Sequence, residues 1–252
     1  MSRRNWFEVG GQQYAQFRPT YPPALAAYLA ELAPAERVAV DVGCGNGQFT
    51  VQLAEHFASV IGADPSAEQL ANAKPHPRVQ YVQAPAEELA LADASVGLVA
   101  VAQAAHWFDL PRFYAEVRRV AALGCVLALI TYGRQELDAD LNERFQRFYR
   151  DEIGPFWPVE RAHVDAGYRT LDFPFEEVAP PRFEIVKDFD LPGMLGYVST
   201  WSAVTNARLG GRTDILERFA TDLTDLWGDP ARRRAARWPI SLRVAPIDSG
   251  HS

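Results

Sequence analysis

Residues 41–48 read DVGCGNGQ and directly continue the short apolar run VAVDV of residues 38–42. Glycine at positions 43, 45 and 47 permits positive φ and lets a ligand lie against bare main chain at the start of a helix. A dinucleotide fingerprint would need a further glycine where Gln48 stands, and no Gly-Lys-Ser/Thr follows as in a P-loop. The spacing therefore predicts a ligand-binding turn of the form GxGxG, formed around Gly43, Gly45 and Gly47.

Acidic residues stand on both sides of this turn. Asp41 precedes the glycines, where a carboxylate would repel a pyrophosphate but suits a ligand that carries an ammonium group. Asp64 ends the next apolar run, where a carboxylate can accept hydrogen bonds from both hydroxyls of a ribose. The alternative for Asp64 is a charge ahead of the helix that begins near Ser66. The implied ligand is a nucleoside with an amino-acid tail.

Helical and strand patterns alternate around the turn over residues 22–131, which predicts a parallel α/β sheet. Expected helices cover residues 22–33, 48–57, 66–73, 109–120 and 213–227. Expected strands cover residues 38–42, 60–63, 79–82, 96–101, 125–131, 182–189 and 238–245. The chain after Gly133 is rich in aromatic, proline and charged residues, which indicates an inserted helical and aromatic cap. We expect one domain over 1–252, with a cofactor-binding core at 22–133, cap segments at 134–181 and 190–230, and returning strands at 182–189 and 238–245.

Composition excludes several classes of protein. The chain has 252 residues, of which 48% are hydrophobic and 23% charged, and its formal net charge is −7; this is typical of a globular protein and disfavours a nucleic-acid partner. Its two cysteines lack CxxC or Cys/His spacing, so neither a disulfide framework nor a metal site is expected. Without a signal-peptide pattern or about 18 consecutive apolar residues, we expect a cytoplasmic protein that does not contact the membrane.

The motifs, taken in order, resemble those of the class I S-adenosylmethionine-dependent methyltransferases. The matching stretches are residues 40–47, Asp64-Pro65-Ser66, the APAEEL of residues 84–89, and the strands that follow. The resemblance implies an α/β fold with a Rossmann-like, seven-stranded, mostly parallel sheet, an antiparallel last strand and three α/β/α layers. It also implies S-adenosyl-L-methionine as cofactor and S-adenosyl-L-homocysteine as product. The cofactor-binding residues that we predict are Asp41, Gly43, Gly45, Gly47, Asp64, Pro65, Ala86, Glu87, Gln103 and Tyr14.

Further stretches resemble a subgroup that acts on small molecules and includes the trans-aconitate methyltransferase-like proteins. These are YAQFRPTYP at residues 14–22, AAHWF at 104–108, GYVSTWS at 196–202 and WPISL at 238–242. The chain departs from the pattern at Gly97, where an aspartate is usual, and at residues 123–125, where LGC replaces a Pro-Gly-Gly turn. The resemblance implies a small-molecule acceptor as partner, and the oligomeric state stays open.

Aromatic side chains are expected to surround the cationic sulfonium, although each of them could equally belong to a packed core. The predicted substrate-pocket residues are Tyr21, Trp107, Tyr132, Trp157, Tyr168 and Trp201. Arg18 lies in a stiff Arg-Pro segment and is either the group that binds an acceptor carboxylate or a surface arginine. His106 is either a general base for a hydroxyl or amine acceptor or a wall residue. A carboxylate acceptor needs no base, because it is already ionised.

Two other classes of function stay open at this point. One is an oxidoreductase on a dinucleotide-binding fold, which Gln48 and Asp41 disfavour. The other is a cofactor-binding protein without catalysis, or a methyltransferase that acts on a macromolecule. The acidic net charge argues against RNA as the acceptor. The absence of an Asn-Pro-Pro-Tyr-type motif after the fourth strand argues against methylation of an amino group of a base or a glutamine.

Overall fold

The computed structural model describes residues 17–34 and 37–247. Seven strands in this part of the chain form one sheet. Its order is β3-β2-β1-β4-β5-β7-β6. Strands β1 to β5 are parallel, and β7 runs antiparallel to β5. The predicted Rossmann-like sheet is therefore confirmed. The strands are β1 (Val38–Val42), β2 (Val60–Asp64), β3 (Val79–Gln83), β4 (Val96–Ala102), β5 (Ala121–Tyr132), β6 (Phe183–Phe189) and β7 (Arg234–Pro246).

Helices flank the strands, and their first residues explain where several of them begin. Pro23 opens the first helix, where its missing N–H costs nothing. The Ser66 side chain accepts a hydrogen bond from the Gln69 N–H at 3.2 Å and so caps the third helix. The described helices are α1 (Pro23–Leu32), α2 (Thr50–Leu53), α3 (Ala67–Ala71), α4 (Leu110–Val120), α5 (Ala139–Arg147), α6 (Arg161–Asp165), α7 (Leu191–Ser199), α8 (Ser202–Leu209) and α9 (Thr213–Trp227).

The core around β4 and β5 is almost wholly buried, as expected for parallel strands that are covered on both faces. Val99, Val101 and Leu129 have no exposed surface, and α4 packs Phe113 and Val117 into the same cluster. Burying a side chain of this size contributes about 1.5–3 kcal/mol relative to leaving it exposed. This packing gives the strand ends, where the candidate site lies, a rigid base.

The chain divides into two compact units. The sheet unit comprises Thr20–Gly133, Ala162–Glu184 and Pro239–Ser252, and it contains β1 to β5. The helical unit comprises Met1–Pro19, Arg134–Arg161 and Ile185–Trp238. Residues 162–184, most of which we expected within the cap, belong to the sheet unit. The assignment of the whole chain to a single domain stays a prediction.

Three elements differ most in length from the sequence-based expectation: α2, β5 and β7. Strand β5 begins at Ala121, earlier than the expected residue 125. The helix expected over residues 48–57 is regular only as α2, because both of its ends are turns: Gln52 N–H bonds to Phe49 C=O and His56 N–H to Leu53 C=O, each three residues back. Strand β7 begins at Arg234, earlier than the expected residue 238. Within this extension, Glu136 and Arg237 exchange both backbone N–H···O bonds, at 2.7 and 3.0 Å.

Helix α7 was not predicted individually, because its sequence LPGMLGYVS contains two glycines of low helix propensity. Its start is capped by Asp190, whose Oδ1 accepts a hydrogen bond from the Gly193 N–H at 2.8 Å. Gly196 leaves room for Phe17, whose ring carbon would lie 2.6 Å from an added Cβ. Tertiary packing thus overrides local propensity here.

None of the helices in the described part of the chain is both long and apolar enough to cross a lipid bilayer.

Candidate functional site

The glycine turn between β1 and α2 has the backbone conformation that its sequence predicts. Gly43, Gly45 and Gly47 have φ of 71°, 54° and 76°, a region that side chains with a Cβ rarely adopt. The N–H of Gly43 donates to the Ala63 carbonyl at the end of β2, at 2.8 Å. A Cβ at Gly43 would lie 2.5 Å from the Cβ of Ala104, which follows β4. The turn is therefore enclosed by the ends of two neighbouring strands.

Asp64 joins the end of β2 to this turn. Its Oδ2 accepts a hydrogen bond from the Gly45 N–H at 2.8 Å, and its Oδ1 accepts one from the Ser66 N–H, also at 2.8 Å. Each carboxylate oxygen has two lone pairs, so each can accept a further bond from a ribose hydroxyl. Pro65, next in the chain, is exposed, and its carbonyl accepts a bond from Gln83 Nε2 at 3.0 Å.

Asp41 is buried at the end of β1, with 1% of its surface exposed. Its Oδ2 accepts a hydrogen bond from Thr50 Oγ1 at 2.6 Å, whereas its Oδ1 has no hydrogen-bond partner among the described residues. Burial, and to a smaller extent the nearby charge of Asp64, raises the pKa of Asp41 to about 7. A buried carboxylate oxygen without a partner, beside a glycine turn, fits the ammonium group of an amino-acid tail.

The raised pKa of Asp41 predicts a pH-dependent stability. The folded protein holds this proton up to about pH 7, whereas the unfolded chain releases it near 3.8. The contribution of Asp41 is thus fully present below pH 3.8 and is lost as the pH rises to about 7, by up to roughly 4 kcal/mol in the ligand-free protein. Denaturant unfolding of Asp41→Asn between pH 4 and pH 8 should show the variant gaining stability relative to wild type as the pH increases.

The exposed Asp225→Asn substitution in α9 is the matched control, and it should follow the wild-type pH curve. Equal pH slopes for wild type and Asp41→Asn would contradict the assignment of a raised pKa to this carboxyl group.

Ala86 and Glu87 lie between β3 and β4, where the resemblance places the adenine. Ala86 is buried, and Glu87 Oε1 accepts a hydrogen bond from the Asp109 N–H at 2.8 Å. Asp109 caps α4 by accepting a bond from the Arg112 N–H. Glu87 is therefore held beside the N-terminus of α4.

The chain leaves β4 through Gln103, a non-glycine residue with φ of 59°. Its Nε2 donates to the Tyr132 carbonyl at 2.8 Å, and its Oε1 accepts a bond from Thr131 Oγ1 at 2.6 Å. The side chain of Gln103 thus ties the end of β4 to the end of β5. This contact fixes the direction of the next segment, a single 3-10 turn over Ala105–Trp107.

His106 lies in this 3-10 turn. Its Nδ1 is 2.8 Å from the Tyr168 hydroxyl oxygen, and its ring centroid is 4.8 Å from that of Trp107. Tyr168 is completely buried, whereas 59% of Trp107 is exposed. Ala104 and Phe108, two positions before and after His106, lie close to the glycine turn, since a Cβ at Gly43 would be 2.5 Å from the Ala104 Cβ and 3.3 Å from the Phe108 ring.

Two further predicted pocket residues pair within the sheet unit. The ring centroids of Tyr21 and Tyr132 are 5.8 Å apart, and Tyr21 packs edge-on against Phe49, directly before α2. Both tyrosines are 6% exposed. The structure therefore brings together Tyr21 and Tyr132 as one pair, and His106, Trp107 and Tyr168 as another group.

Other predicted residues belong to the helical unit. Trp157 and Trp201 have ring centroids 5.5 Å apart within an aromatic cluster that includes Tyr149, and Trp157 Nε1 has no hydrogen-bond partner among the described residues. Arg18 Nη2 donates to the Thr200 carbonyl at 3.3 Å, and the carbonyl of Arg18 accepts a bond from Lys187 Nζ at 3.2 Å. The predicted Tyr14 lies outside the described residues.

Sequence reasoning missed Thr50 and Ala104. Thr50 supplies the hydroxyl that bonds to Asp41, and Ala104 lines the glycine turn. Thr50 could have been predicted as a partner of Asp41, because it is a hydroxyl residue in the first helical turn after the glycines. A small residue two positions before His106 was the signal for Ala104, and its approach to Gly43 depends on strand order.

Comparisons with known proteins agree with this geometry. A family model described as a methyltransferase domain matches residues 40–129. A Dictyostelium discoideum protein named as a methyltransferase is 35% identical over 216 residues, which is 84% of this chain and 82% of that protein. A solved structure from Anaeromyxobacter dehalogenans, named as a type II methyltransferase, is 46% identical, covers 91% of this chain and 98% of its own, and superposes with a TM-score of 0.85.

This chain belongs to the methyltransferase family. The predicted class, a methyltransferase, is confirmed, and S-adenosyl-L-methionine is the cofactor that the sequence predicts for it. A third relative, the trans-aconitate 2-methyltransferase of Deinococcus radiodurans, is 34% identical over 164 residues, 60% of each chain. The glycine turn, the two oxygens of Asp64 and the buried Oδ1 of Asp41 fit the methionine and ribose parts of this cofactor.

Proposed function

We propose that this methyltransferase acts on an oxygen atom of a small molecule, and that this oxygen belongs to a carboxylate. The observation that carries the proposal is the position of His106, whose neighbours Ala104 and Phe108 contact the glycine turn. A polar ring paired with the Tyr168 hydroxyl next to this turn is suited to hydrogen-bond an acceptor oxygen.

S-adenosyl-L-methionine, when bound, supplies a methyl group on a cationic sulfur, and transfer breaks the carbon–sulfur bond while the acceptor oxygen forms the new bond with its own electron pair. The protein has to align the acceptor and exclude water. In the proposal, Asp41 holds the ammonium group, Asp64 the ribose, and Ala86 and Glu87 border the adenine. Gly43, Gly45 and Gly47 keep the main chain bare at the turn.

A carboxylate is favoured over a hydroxyl for two reasons. It is ionised at neutral pH, so no base is needed to remove a proton. The helical unit also places two cationic residues together: Arg18, next to Pro19, and Lys187, whose Nζ bonds to the carbonyls of Phe17 and Arg18. We propose that Arg18 binds the acceptor carboxylate, and a relative named for trans-aconitate agrees with this chemistry.

The other partner predictions are carried forward as part of this proposal. A chain with a net charge of −7 is a poor match for a polyanion, so nucleic acid is not the acceptor. We likewise propose a cytoplasmic location, without membrane contact.

The experiment that tests the proposal is a screen of turnover. The purified protein is incubated with S-adenosyl-L-methionine and panels of small carboxylic acids, phenols, amines and thiols, and the formation of S-adenosyl-L-homocysteine is measured. We expect turnover with members of the carboxylic acid panel. Turnover confined to amines, thiols or a protein fraction would contradict the proposal.

A further inference from the structure

Tyr168 has a backbone that is held in an unusual conformation. It has φ of 61°, and Gly167 before it has φ of 62°. The N–H of Tyr168 donates to the His163 carbonyl at 2.8 Å and that of Gly167 to the Val164 carbonyl at 2.9 Å, a pattern that ends α6 as a Schellman motif. Left-handed backbone is uncommon for a tyrosine and persists only where the surroundings enforce it.

The surroundings that enforce this conformation are visible on β7. Arg243 Nη1 donates to the carbonyls of Tyr168 and Leu171, both at 2.9 Å. Glu177 in turn pairs with the Arg243 guanidinium. At Gly167, an added Cβ would collide with the side chain of Ser241. The main chain at Tyr168 is therefore held by hydrogen bonds from β7. This restricts the positions that the Tyr168 side chain can reach.

The hydroxyl of Tyr168 meets Nδ1 of His106 at 2.8 Å. A phenolic O–H is a much stronger acid than the N–H of a neutral imidazole, and an imidazole nitrogen is a better acceptor than a phenol oxygen. The O–H of Tyr168 therefore donates to Nδ1, and the proton of the neutral imidazole is left on Nε2. The ring of Trp107, with its centroid 4.8 Å from that of His106, contacts the imidazole as well.

We propose that Tyr168 is a positioning residue that holds His106 as the Nε2–H tautomer, so that His106 is a hydrogen-bond donor to an acceptor carboxylate and not a general base. The donor role of His106 rests on the proposed function, because that function identifies the acceptor as a carboxylate. The tautomer of His106 does not depend on it. The sequence predicts that Tyr168 lines the substrate pocket; in this proposal Tyr168 instead acts by orienting His106. A carboxylate acceptor suits such a donor, because its oxygen already carries the electron pair for the new bond.

Long-range ¹H–¹⁵N NMR of uniformly ¹⁵N-labelled protein reports the tautomer without any turnover. His106→Gln identifies the signals of His106 among the five histidines. We expect wild type at neutral to weakly alkaline pH to show the Nε2–H form of His106 alone. Tyr168→Phe, which keeps the ring and removes the hydroxyl, should show a mixture of both tautomers. A protonated Nδ1 in wild type, or an unchanged tautomer in Tyr168→Phe, would overturn the proposal.

Two matched variants separate positioning from a general loss of structure. Tyr114 is a buried tyrosine of the same unit whose hydroxyl donates to the Asp172 carbonyl at 2.6 Å, so Tyr114→Phe removes a comparable hydrogen bond away from His106. Thr170→Val removes the oxygen that lies 2.8 Å from Nδ1 of His163 and provides a second imidazole as reference. We expect both variants to keep the wild-type signals of His106, and a change of the His106 tautomer in Tyr114→Phe would contradict the proposal.

Turnover provides the second readout. Loss of one neutral hydrogen bond predicts a fall in kcat of about 2- to 10-fold in Tyr168→Phe, with the affinity for S-adenosyl-L-homocysteine unchanged. If no small acid is methylated by wild type, the proposed function and the donor role of His106 fail, while the tautomer spectra still decide the role of Tyr168. The two failures are therefore distinguishable.

Discussion

Gly43→Ala is expected to lose cofactor binding and to lower the free energy of unfolding by about 2–5 kcal/mol. The added Cβ would lie 2.5 Å from the Cβ of Ala104 and 3.3 Å from the Phe108 ring. It would also force an L side chain to φ of 71°, which costs roughly 1–2 kcal/mol, and overpacking adds about 1–3 kcal/mol. Calorimetric titration with S-adenosyl-L-homocysteine, together with denaturant unfolding, measures both effects.

Gly211→Ala is the matched control for Gly43→Ala. Gly211 has φ of 72°, almost the same as Gly43, but an added Cβ would have no neighbour within 4 Å. It should show the cost of backbone strain alone and bind S-adenosyl-L-homocysteine like wild type. The prediction is contradicted if the two variants lose equal stability, or if Gly43→Ala still binds S-adenosyl-L-homocysteine. Either result would mean that the close packing of Ala104 against the turn does not require a glycine at position 43.

Arg18→Ala is expected to abolish turnover of a small carboxylate while the affinity for S-adenosyl-L-homocysteine stays at its wild-type value. The physical reason is the loss of a bidentate guanidinium–carboxylate pair, whose charged hydrogen bonds contribute about 1.5–3 kcal/mol each. Arg18→Lys keeps the charge but not the planar fork, so it should recover only part of the activity. His106→Ala should reduce turnover modestly, because an ionised acceptor needs no base.

The control for Arg18→Ala is Arg212→Ala, which removes an exposed arginine that pairs with Asp214 in the same helical unit. It should leave turnover unchanged. A large loss of rate confined to His106→Ala, with Arg18→Ala active, would instead indicate a hydroxyl or amine acceptor and a general base.

Much of the sheet unit could be predicted from sequence because its signals are local. The run of residues 38–42 is apolar and short, the glycines follow it directly, and Ser66 caps the next helix in the expected place. The positive φ at Gly43, Gly45 and Gly47 follows from residue type alone. In parallel sheets the strand ends meet at one edge, so the proximity of Asp64 to the turn was also predictable.

Other features depend on contacts between residues that are far apart in the chain. The carbonyl of Tyr168, whose backbone is left-handed, accepts a bond from Arg243, and Ser241 leaves no room for a Cβ at Gly167; neither contact is signalled by the sequence near Gly167. The regular part of α2 is shorter than its apolar periodicity suggested. In α7, the packing of Phe17 against Gly196 overrides two glycines that argue locally against a helix. Tertiary packing decided these cases, and no local pattern encodes it.

The roles predicted for individual residues in the pocket stay predictions. Their environments nevertheless differ: Trp107 is 59% exposed, whereas Tyr168 and Trp201 are buried. Sequence spacing could not separate these cases, because an aromatic residue has the same signature in a core and in a binding wall.

The proposed function is tested by identifying the atom that receives the methyl group. Wild-type protein is incubated with S-adenosyl-L-methionine labelled with ¹³C in its methyl group and with the small acid that gives turnover, and the product is examined by ¹³C NMR. We expect the label to appear as an oxygen-bound methyl group of a carboxylic ester. A label on nitrogen or sulfur, or retained on macromolecules, would contradict it.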